Sequence, residues 1–225
     1  MPPDAIPPGA ASADAVTVAG VPAWAVSAIV EAGARMHACG WVPATAGNIS
    51  VRLDDGRIAI TRSGVHKAFL DAEGVMLVDA AGTSQTAGAR PSAETLLHCQ
   101  IYRLFAAAGA VVHGHSVAAT VLSMARPGPI VLAGYEMLKV FEGCRTHEVP
   151  LEIPVFDNDQ DIARLCGVAE PRLAAMLGGT ASRPLCYVIR GHGCYAWGPD
   201  LDTALARLEG LEFLLACELA KGTLR

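Results

Sequence analysis

The chain has 225 residues, a formal net charge of −5 at pH 7, and 52% hydrophobic against 17% charged residues. This composition excludes a disordered chain, and the acidic balance without a long basic run argues against nucleic acid as the main partner. No apolar stretch approaches the roughly 18 residues that a membrane-spanning helix needs. We therefore expect a soluble, globular protein that neither binds nucleic acid nor enters a membrane.

The seven cysteines are scattered and form no CxxC pair, so neither a zinc ribbon nor a thioredoxin-like redox site is indicated. An odd number of cysteines fits reduced, buried thiols better than a disulfide framework. Residues 1–20 are rich in Ala and Pro and lack the basic and apolar segments of a signal peptide. We interpret them as a flexible lead-in to one domain at residues 21–225, and we expect a cytoplasmic location.

The predicted elements alternate between helices and strands along the chain. A helical period with Pro22 near its first turn and Gly40 as its stop predicts the first helix. Residues 49–53 and 58–60, joined by a turn at 55–56, predict a β-hairpin. The later elements in chain order are a strand at 75–78, a helix from 92 closed by Gly109, a strand at 110–113, a helix at 116–125, a strand at 130–132, a helix capped by Asn158 or Asp159 and running through Leu165, a strand at 185–189 and a helix from 200 to 222. Such interleaving without a hydrophilic linker predicts one layered α/β domain.

Three histidines are candidates for metal ligands. His113 and His115 end a predicted strand, where residues two apart project from the same face and can reach one ion. Zinc sites take neutral histidine nitrogens, although two partly exposed surface histidines would give the same spacing. His192 stands between two glycines after the strand at 185–189, where a tight turn with an incidental histidine is the alternative. A structural role is the better interpretation for the other histidines, which are His37, His66, His98 and His147.

Two carboxylates and two loops complete the candidates. Glu94 begins a predicted helix, where a favourable interaction with the helix dipole is the simpler explanation. Glu136 can pair with Lys139 at i,i+3 on a helix. The loops at 44–50 and 61–64 combine glycine, hydroxyl groups and backbone donors, as phosphate-binding loops do. Neither loop matches a Walker A or GxGxxG motif, and ordinary turns are the alternative.

Five short motifs follow one another along the chain, and they are TAGNIS (45–50), ITRSG (60–64), PSAE (91–94), HGHS (113–116) and RGHG (190–193). In this order they resemble the class II aldolase/adducin family of zinc-dependent sugar-phosphate enzymes over residues 21–219. Further blocks include GYEMLK (134–139), PVFDNDQDI (154–162) and LEGLEFL (208–214). Through these blocks the chain is most similar, within this family, to the methylthioribulose-1-phosphate dehydratases of methionine salvage.

The resemblance implies a single-domain layered α/β/α fold, with a central, mainly antiparallel sheet flanked by helices. It implies Zn²⁺ on His113, His115 and His192. It also implies two catalytic carboxylates, because Glu94 matches the one near the metal in the aldolases and Glu136 matches the acid/base of the dehydratases. The residues that the resemblance assigns to the phosphate are Gly47, Asn48, Thr61, Ser63 and Gly64.

The expected reaction is the dehydration of 5-methylthioribulose 1-phosphate to 2,3-diketo-5-methylthiopentyl 1-phosphate. It removes a proton next to a carbonyl and expels a hydroxyl one carbon further on, and both steps need a carboxylate such as Glu136 or Glu94. One alternative is an aldolase or epimerase acting on another ketose phosphate, which would need Glu94 and not Glu136. Another is a non-catalytic assembly module, which would have lost the metal ligands. The family also implies a homo-oligomer, commonly a tetramer with sites near subunit contacts.

Overall fold

The computed structural model describes residues 20–178 and 183–223. Its helices are α1 (Ala23–Ala38), α2 (Thr95–Leu104), α3 (Val117–Ala125), α4 (Ile162–Ala175) and α5 (Leu201–Thr223). Its strands are β1 (Asn48–Arg52), β2 (Ile58–Thr61), β3 (Val75–Val78), β4 (Ala110–Gly114), β5 (Ile130–Leu132), β6 (Leu151–Ile153), β7 (Val155–Phe156), β8 (Cys186–Ile189) and β9 (Gly193–Gly198). Short 3₁₀ helices cover Lys67–Phe69, Ala72–Gly74 and Glu136–Val140. None of the helices in the two described ranges has the length and apolarity to cross a bilayer.

Seven of the strands form a central sheet in the order β3-β2-β1-β4-β9-β8-β7. All neighbours in this sheet are antiparallel except β7 and β8, which are parallel. Strands β5 and β6 form a separate antiparallel pair. Strand β4 lies in the middle, and its register places His113 opposite Asn48 of β1 and opposite Tyr195 of β9. The sheet therefore brings the TAGNIS, HGHS and RGHG motifs together at one end of strands β1, β4 and β9.

The helices cover both faces of the sheet. Buried side chains of α1, α3 and α5 pack into one apolar cluster, and those of α2 and α4 pack into another. Strand β4 contributes Val112 to the first cluster and Val111 to the second, so it is buried on both faces. This layered α/β/α arrangement around a mainly antiparallel sheet confirms the predicted fold. The predicted lead-in lies outside the described residues, apart from Gly20.

Helix α4 differs from its prediction at both ends. Asp161, not Asn158 or Asp159, caps it by accepting a hydrogen bond from a backbone N–H of the first turn, and the helix continues ten residues past Leu165. Pro171 lies inside the helix, where it removes one backbone hydrogen bond. Because α4 keeps its buried apolar stripe beyond the proline, packing against the second cluster outweighs that loss.

The sequence patterns miss strands β6, β7 and β9. All six residues of β9 are buried, so it has no alternation of apolar and polar residues that a period-two pattern could detect. Strand β6 is only three residues long and lies between Pro150 and Pro154, so it is too short to show a clear pattern. Helix α2 also begins at Thr95, three residues later than predicted, and it ends at Leu104, before the predicted stop at Gly109. The other predicted elements are confirmed to within a few residues of their ends.

Candidate active site

Three histidines converge at one end of the central sheet. His113 lies on β4, His115 directly follows that strand, and His192 lies in the turn between β8 and β9. Their ring centroids are separated by 4.5 Å, 4.6 Å and 5.2 Å. Glu94, at the start of α2, joins them, and one ligand atom from each of the four side chains lies within 4.8 Å of the others. The structure thus groups the three histidines that the sequence singled out with one of the two candidate carboxylates.

The imidazole of His113 is oriented for ligation. Its Nδ1 lies 2.9 Å from the carbonyl oxygen of Cys194, which can only accept a hydrogen bond. The proton therefore sits on Nδ1, and Nε2 presents a lone pair. That Nε2 is buried without a hydrogen-bond partner among the described residues, since Glu94 Oε1 lies 3.6 Å away. Tyr195 stacks on the ring at 4.0 Å between centroids and limits its rotation.

Charge in the cluster also suits a metal. Burial, together with the nearby His113 and His192, lowers the pKa of His115 to about 3, so that ring is neutral at pH 7. Burial alone would raise the pKa of Glu94, but the adjacent imidazoles of His113 and His192 hold it well below the usual range. Three imidazoles and a carboxylate grouped in this way fit the donor set of a catalytic Zn²⁺ site.

A cavity of about 260 Å³ adjoins the histidines. Its walls join the two glycine-containing loops to Glu94 and His115. Gly47 and Gly64 hold the turns of those loops with φ of 82° and 77°, which glycine adopts without steric cost. The full lining consists of Thr45, Ala46, Gly47, Asn48, Arg62, Ser63, Gly64, Lys67, Ser92, Glu94 and His115. Four of the five predicted phosphate residues thus share one cavity with Glu94 and His115 of the cluster.

Thr61, the fifth, lies beneath the cavity. Its side chain is fully buried, accepts a hydrogen bond from the backbone N–H of Ile49 at 3.2 Å, and donates to Asn48 Oδ1 at 3.4 Å. Asn48 in turn donates from Nδ2 to Glu94 Oε2 at 2.6 Å. Thr61 therefore positions Asn48, and Asn48 connects the glycine-containing loop at 44–50 to the carboxylate of the cluster.

Lys67 is a site residue that the sequence analysis missed. It is 1% exposed, lines the cavity, and donates from Nζ to the carbonyl oxygens of Thr45 at 3.0 Å and Val65 at 2.7 Å. An ammonium group has three protons, so one remains for a ligand. Burial lowers the pKa of Lys67 to about 8, against the opposing effect of Glu94. The sequence signal was a lone lysine three residues after a Ser-Gly turn, without any periodicity.

Glu136 lies outside this group. It begins a 3₁₀ helix, its side chain is 71% exposed, and its carboxylate pairs with Lys139 and lies 3.6 Å from His147 Nδ1. The hydrogen bond from Lys139 lowers the pKa of Glu136. The i,i+3 pairing considered from the sequence is therefore confirmed. Glu136 lines neither the cavity nor the histidine cluster of its own chain.

The cysteines lie in mixed surroundings. All seven are free thiols, of which three are buried (Cys99, Cys186 and Cys194), three are half-buried (Cys144, Cys166 and Cys217) and one is exposed (Cys39). The prediction of buried thiols is therefore correct for three of them. His66 caps the 3₁₀ helix that carries Lys67, and His98 is buried beside Ser50 at 2.7 Å, which fits the structural role predicted for these two histidines.

The chain is similar to known proteins along most of its length. The family model "Class II Aldolase and Adducin N-terminal domain" matches residues 27–219. The chain is 62% identical over 210 residues to the methylthioribulose-1-phosphate dehydratase of Granulibacter bethesdensis, a match that covers 91% of this chain and 95% of the relative. It is 63% identical over 200 residues to the enzyme of the same name from Gluconacetobacter diazotrophicus, and this match covers 88% of this chain and 94% of the relative.

A solved structure carries the same fold. The L-fuculose-1-phosphate aldolase from Thermus thermophilus superposes with a TM-score of 0.67 at 26% identity, covering 89% of this chain and 96% of that one. Because the matched family spans nearly all of the described domain, and because the fold agrees with it, the chain belongs to the class II aldolase and adducin family.

Proposed function

We propose that this chain is a methylthioribulose-1-phosphate dehydratase, which converts 5-methylthioribulose 1-phosphate into 2,3-diketo-5-methylthiopentyl 1-phosphate and water in methionine salvage. The observation that carries the proposal is the single cavity that joins two phosphate-type loops to a three-histidine and glutamate cluster. Relatives of this name that match at 62–63% identity, over nearly their whole length, support the choice of reaction.

His113, His115 and His192 would hold Zn²⁺, which as a Lewis acid supplies stabilisation for negative charge that develops on substrate oxygens. The chain prepares for this by keeping the half-buried His115 imidazole neutral and by orienting His113 through its Nδ1 hydrogen bond to the carbonyl oxygen of Cys194. Glu94 lies against His192, with Oε1 at 2.9 Å from Nε2, and is ionised. It can therefore accept a proton from a substrate carbon held in the cavity.

The phosphate end of the substrate would occupy the other side of the cavity. Backbone N–H groups around Gly47 and Gly64, and the hydroxyl of Ser63, offer hydrogen bonds to its oxygens. The Lys67 ammonium adds a buried positive charge, and a charge-assisted hydrogen bond of this kind is stronger than a neutral one. The substrate would therefore be anchored by charge at one end while its reacting carbons face Glu94.

We place Glu136 as the second acid/base, which relays a proton to the leaving hydroxyl. Its exposure outside the cavity of its own chain suits a residue that acts across a subunit contact. The neighbouring Met137 is 42% exposed, an apolar surface that such a contact would cover. We accordingly propose a homotetramer, whose mass light scattering would measure. The free cysteines favour the cytoplasm.

Mass spectrometry of zinc-loaded protein incubated with 5-methylthioribulose 1-phosphate tests the reaction. We expect the loss of one water, abolished by chelation. Cleavage to dihydroxyacetone phosphate and an aldehyde would instead identify an aldolase.

Two substitutions then separate the carboxylates. Glu136→Gln should abolish elimination while zinc stays bound, and Glu94→Gln should slow proton removal. Glu31→Gln, an exposed carboxylate on α1, is the matched control and should behave as wild type. Elimination at the wild-type rate in Glu136→Gln would remove that residue from the mechanism.

A further inference from the structure

Helix α5 carries a buried carboxyl group that the proposed mechanism does not use. Glu212 is 4% exposed, and none of the ion pairs within residues 20–178 and 183–223 includes it. Its Oε1 accepts a hydrogen bond from Cys194 Sγ at 3.1 Å. The Ser116 hydroxyl interacts with the same carboxyl group. A buried carboxyl without a cation is costly, so its partners call for an explanation.

Both partners belong to the segments that carry the histidines. Ser116 directly follows His115 and is the N-terminal cap of α3, because its Oγ accepts a hydrogen bond from the backbone N–H of Ala119 at 2.9 Å. Its hydroxyl proton is therefore available to Glu212. Cys194 follows the turn that holds His192, and its carbonyl oxygen receives the Nδ1 proton of His113. One carboxyl group on α5 thus reaches the backbone segments of all three histidines.

We infer that Glu212 is a positioning residue for the metal site: by holding Ser116 and Cys194 together, it fixes the relative placement of His113, His115 and His192. This inference rests on the proposed metal site and deepens it. Hydrogen bonds behind the ligands commonly set metal affinity, and their removal typically lowers it about 10–100-fold. The fold itself does not require a charged group here, since an apolar side chain of similar size would satisfy the packing of α5 against β9.

Zinc affinity and stability of the metal-free protein, measured separately, test the inference. In Glu212→Leu, competition with a chromophoric chelator should show zinc binding weakened by about 10–100-fold. Urea unfolding of the same metal-free variant should show unchanged or higher stability, because a buried carboxyl has been replaced by an apolar group. Glu212→Gln keeps an acceptor oxygen for both donors and should retain most of the affinity.

Glu218 offers the matched control. It lies six residues further along α5, is also buried at 7% exposure, and is bonded to Arg126, Tyr135 and Lys221 instead of the histidine segments. Glu218→Leu should lower the stability of the metal-free protein and leave zinc affinity unchanged. An equal loss of zinc affinity in this control, or wild-type affinity in Glu212→Leu, would overturn the inference.

If Glu212→Leu does not fold, Cys194→Ala removes the same hydrogen bond from the strand side. Reduced zinc affinity in that variant supports the positioning role, and unchanged affinity overturns it. A wild-type chain that binds no zinc would overturn the proposed metal site itself, which separates the failure of the proposed function from the failure of this inference.

Discussion

Alanine substitutions at Gly47 and Gly64 would measure how closely the two glycine-containing loops of the cavity pack against their surroundings. Both residues have positive φ, 82° and 77°, so alanine is strained at either position. Their surroundings differ. A Cβ at Gly47 would lie 2.5 Å from Val42 Cγ1 and 2.7 Å from the carbonyl oxygen of His113, whereas a Cβ at Gly64 would meet no atom within 4 Å. The pair therefore separates backbone strain from steric overlap.

The expected magnitudes follow from that difference. The left-handed conformation costs a non-glycine residue about 1–2 kcal/mol, and this is the whole expected effect of Gly64→Ala. Gly47→Ala adds the cost of overpacking, about 1–3 kcal/mol, because the backbone of β4 must shift. The effect of alanine on the unfolded chain is common to both variants and cancels in the comparison. Since the crowded atom belongs to His113, Gly47→Ala should also weaken zinc binding.

Urea unfolding of the metal-free variants gives the two losses in the free energy of unfolding, and chelator competition gives the zinc affinities. We expect Gly47→Ala to be the less stable variant and the only one of the two with impaired zinc binding. Equal losses of stability in the two variants would refute the argument from crowding, and intact zinc binding in Gly47→Ala would show that β4 absorbs the shift without moving His113.

Three further outcomes can be measured. Lys67→Met should raise KM about 10–100-fold with little change in kcat, because it removes a hydrogen bond from a charged group. The KM of the wild type should rise above pH 8, where Lys67 loses its proton, and this rise should be absent in the variant. Burial, with a smaller effect of His113, lowers the pKa of His98 to about 3. The contribution of neutral His98 to stability is therefore complete above pH 6.5 and is lost as the pH falls towards 3. In urea unfolding of the metal-free proteins, the free energy of unfolding should fall less between pH 7 and 4.5 for His98→Gln than for the wild type. Brief alkylation followed by peptide mass analysis should label the exposed Cys39 before Cys99, whose pKa burial raises to about 11.

Local patterns predicted most of the fold and part of the candidate site. The spacing of His113 and His115 is a property of one strand end, so a short stretch of sequence was enough to place both imidazoles on one side. Lys67 had no such signal, because its burial in the cavity depends on the sheet order that brings β2 and β1 beside β4. Strand β9 escaped prediction for a related reason: it is covered on both faces, and only the assembled layers reveal this.

The setting of Glu136 shows the limit of arguments from one chain. Its motif marked it as a catalytic candidate, yet among the residues that the structure describes it makes an ordinary surface pair with Lys139 and a weak contact with His147. A sequence motif carries no information on whether a side chain acts in its own subunit. In the proposed homotetramer, the subunit contact would determine where the carboxylate of Glu136 is used.

The pairing of β1 with β4 holds the two sides of the cavity at a fixed distance. Asn48 stands opposite His113 in this ladder, and its amide bonds Glu94, so the phosphate loop and the reacting end share one rigid frame. Hydrogen-bonded strands do not stretch, so in the proposed mechanism the distance between the substrate phosphate and the carbon that faces Glu94 is fixed. We expect the site to distinguish a sugar 1-phosphate sharply from its positional isomers. The chemical group at the end of the sugar far from the phosphate lies outside this fixed distance and is free to vary.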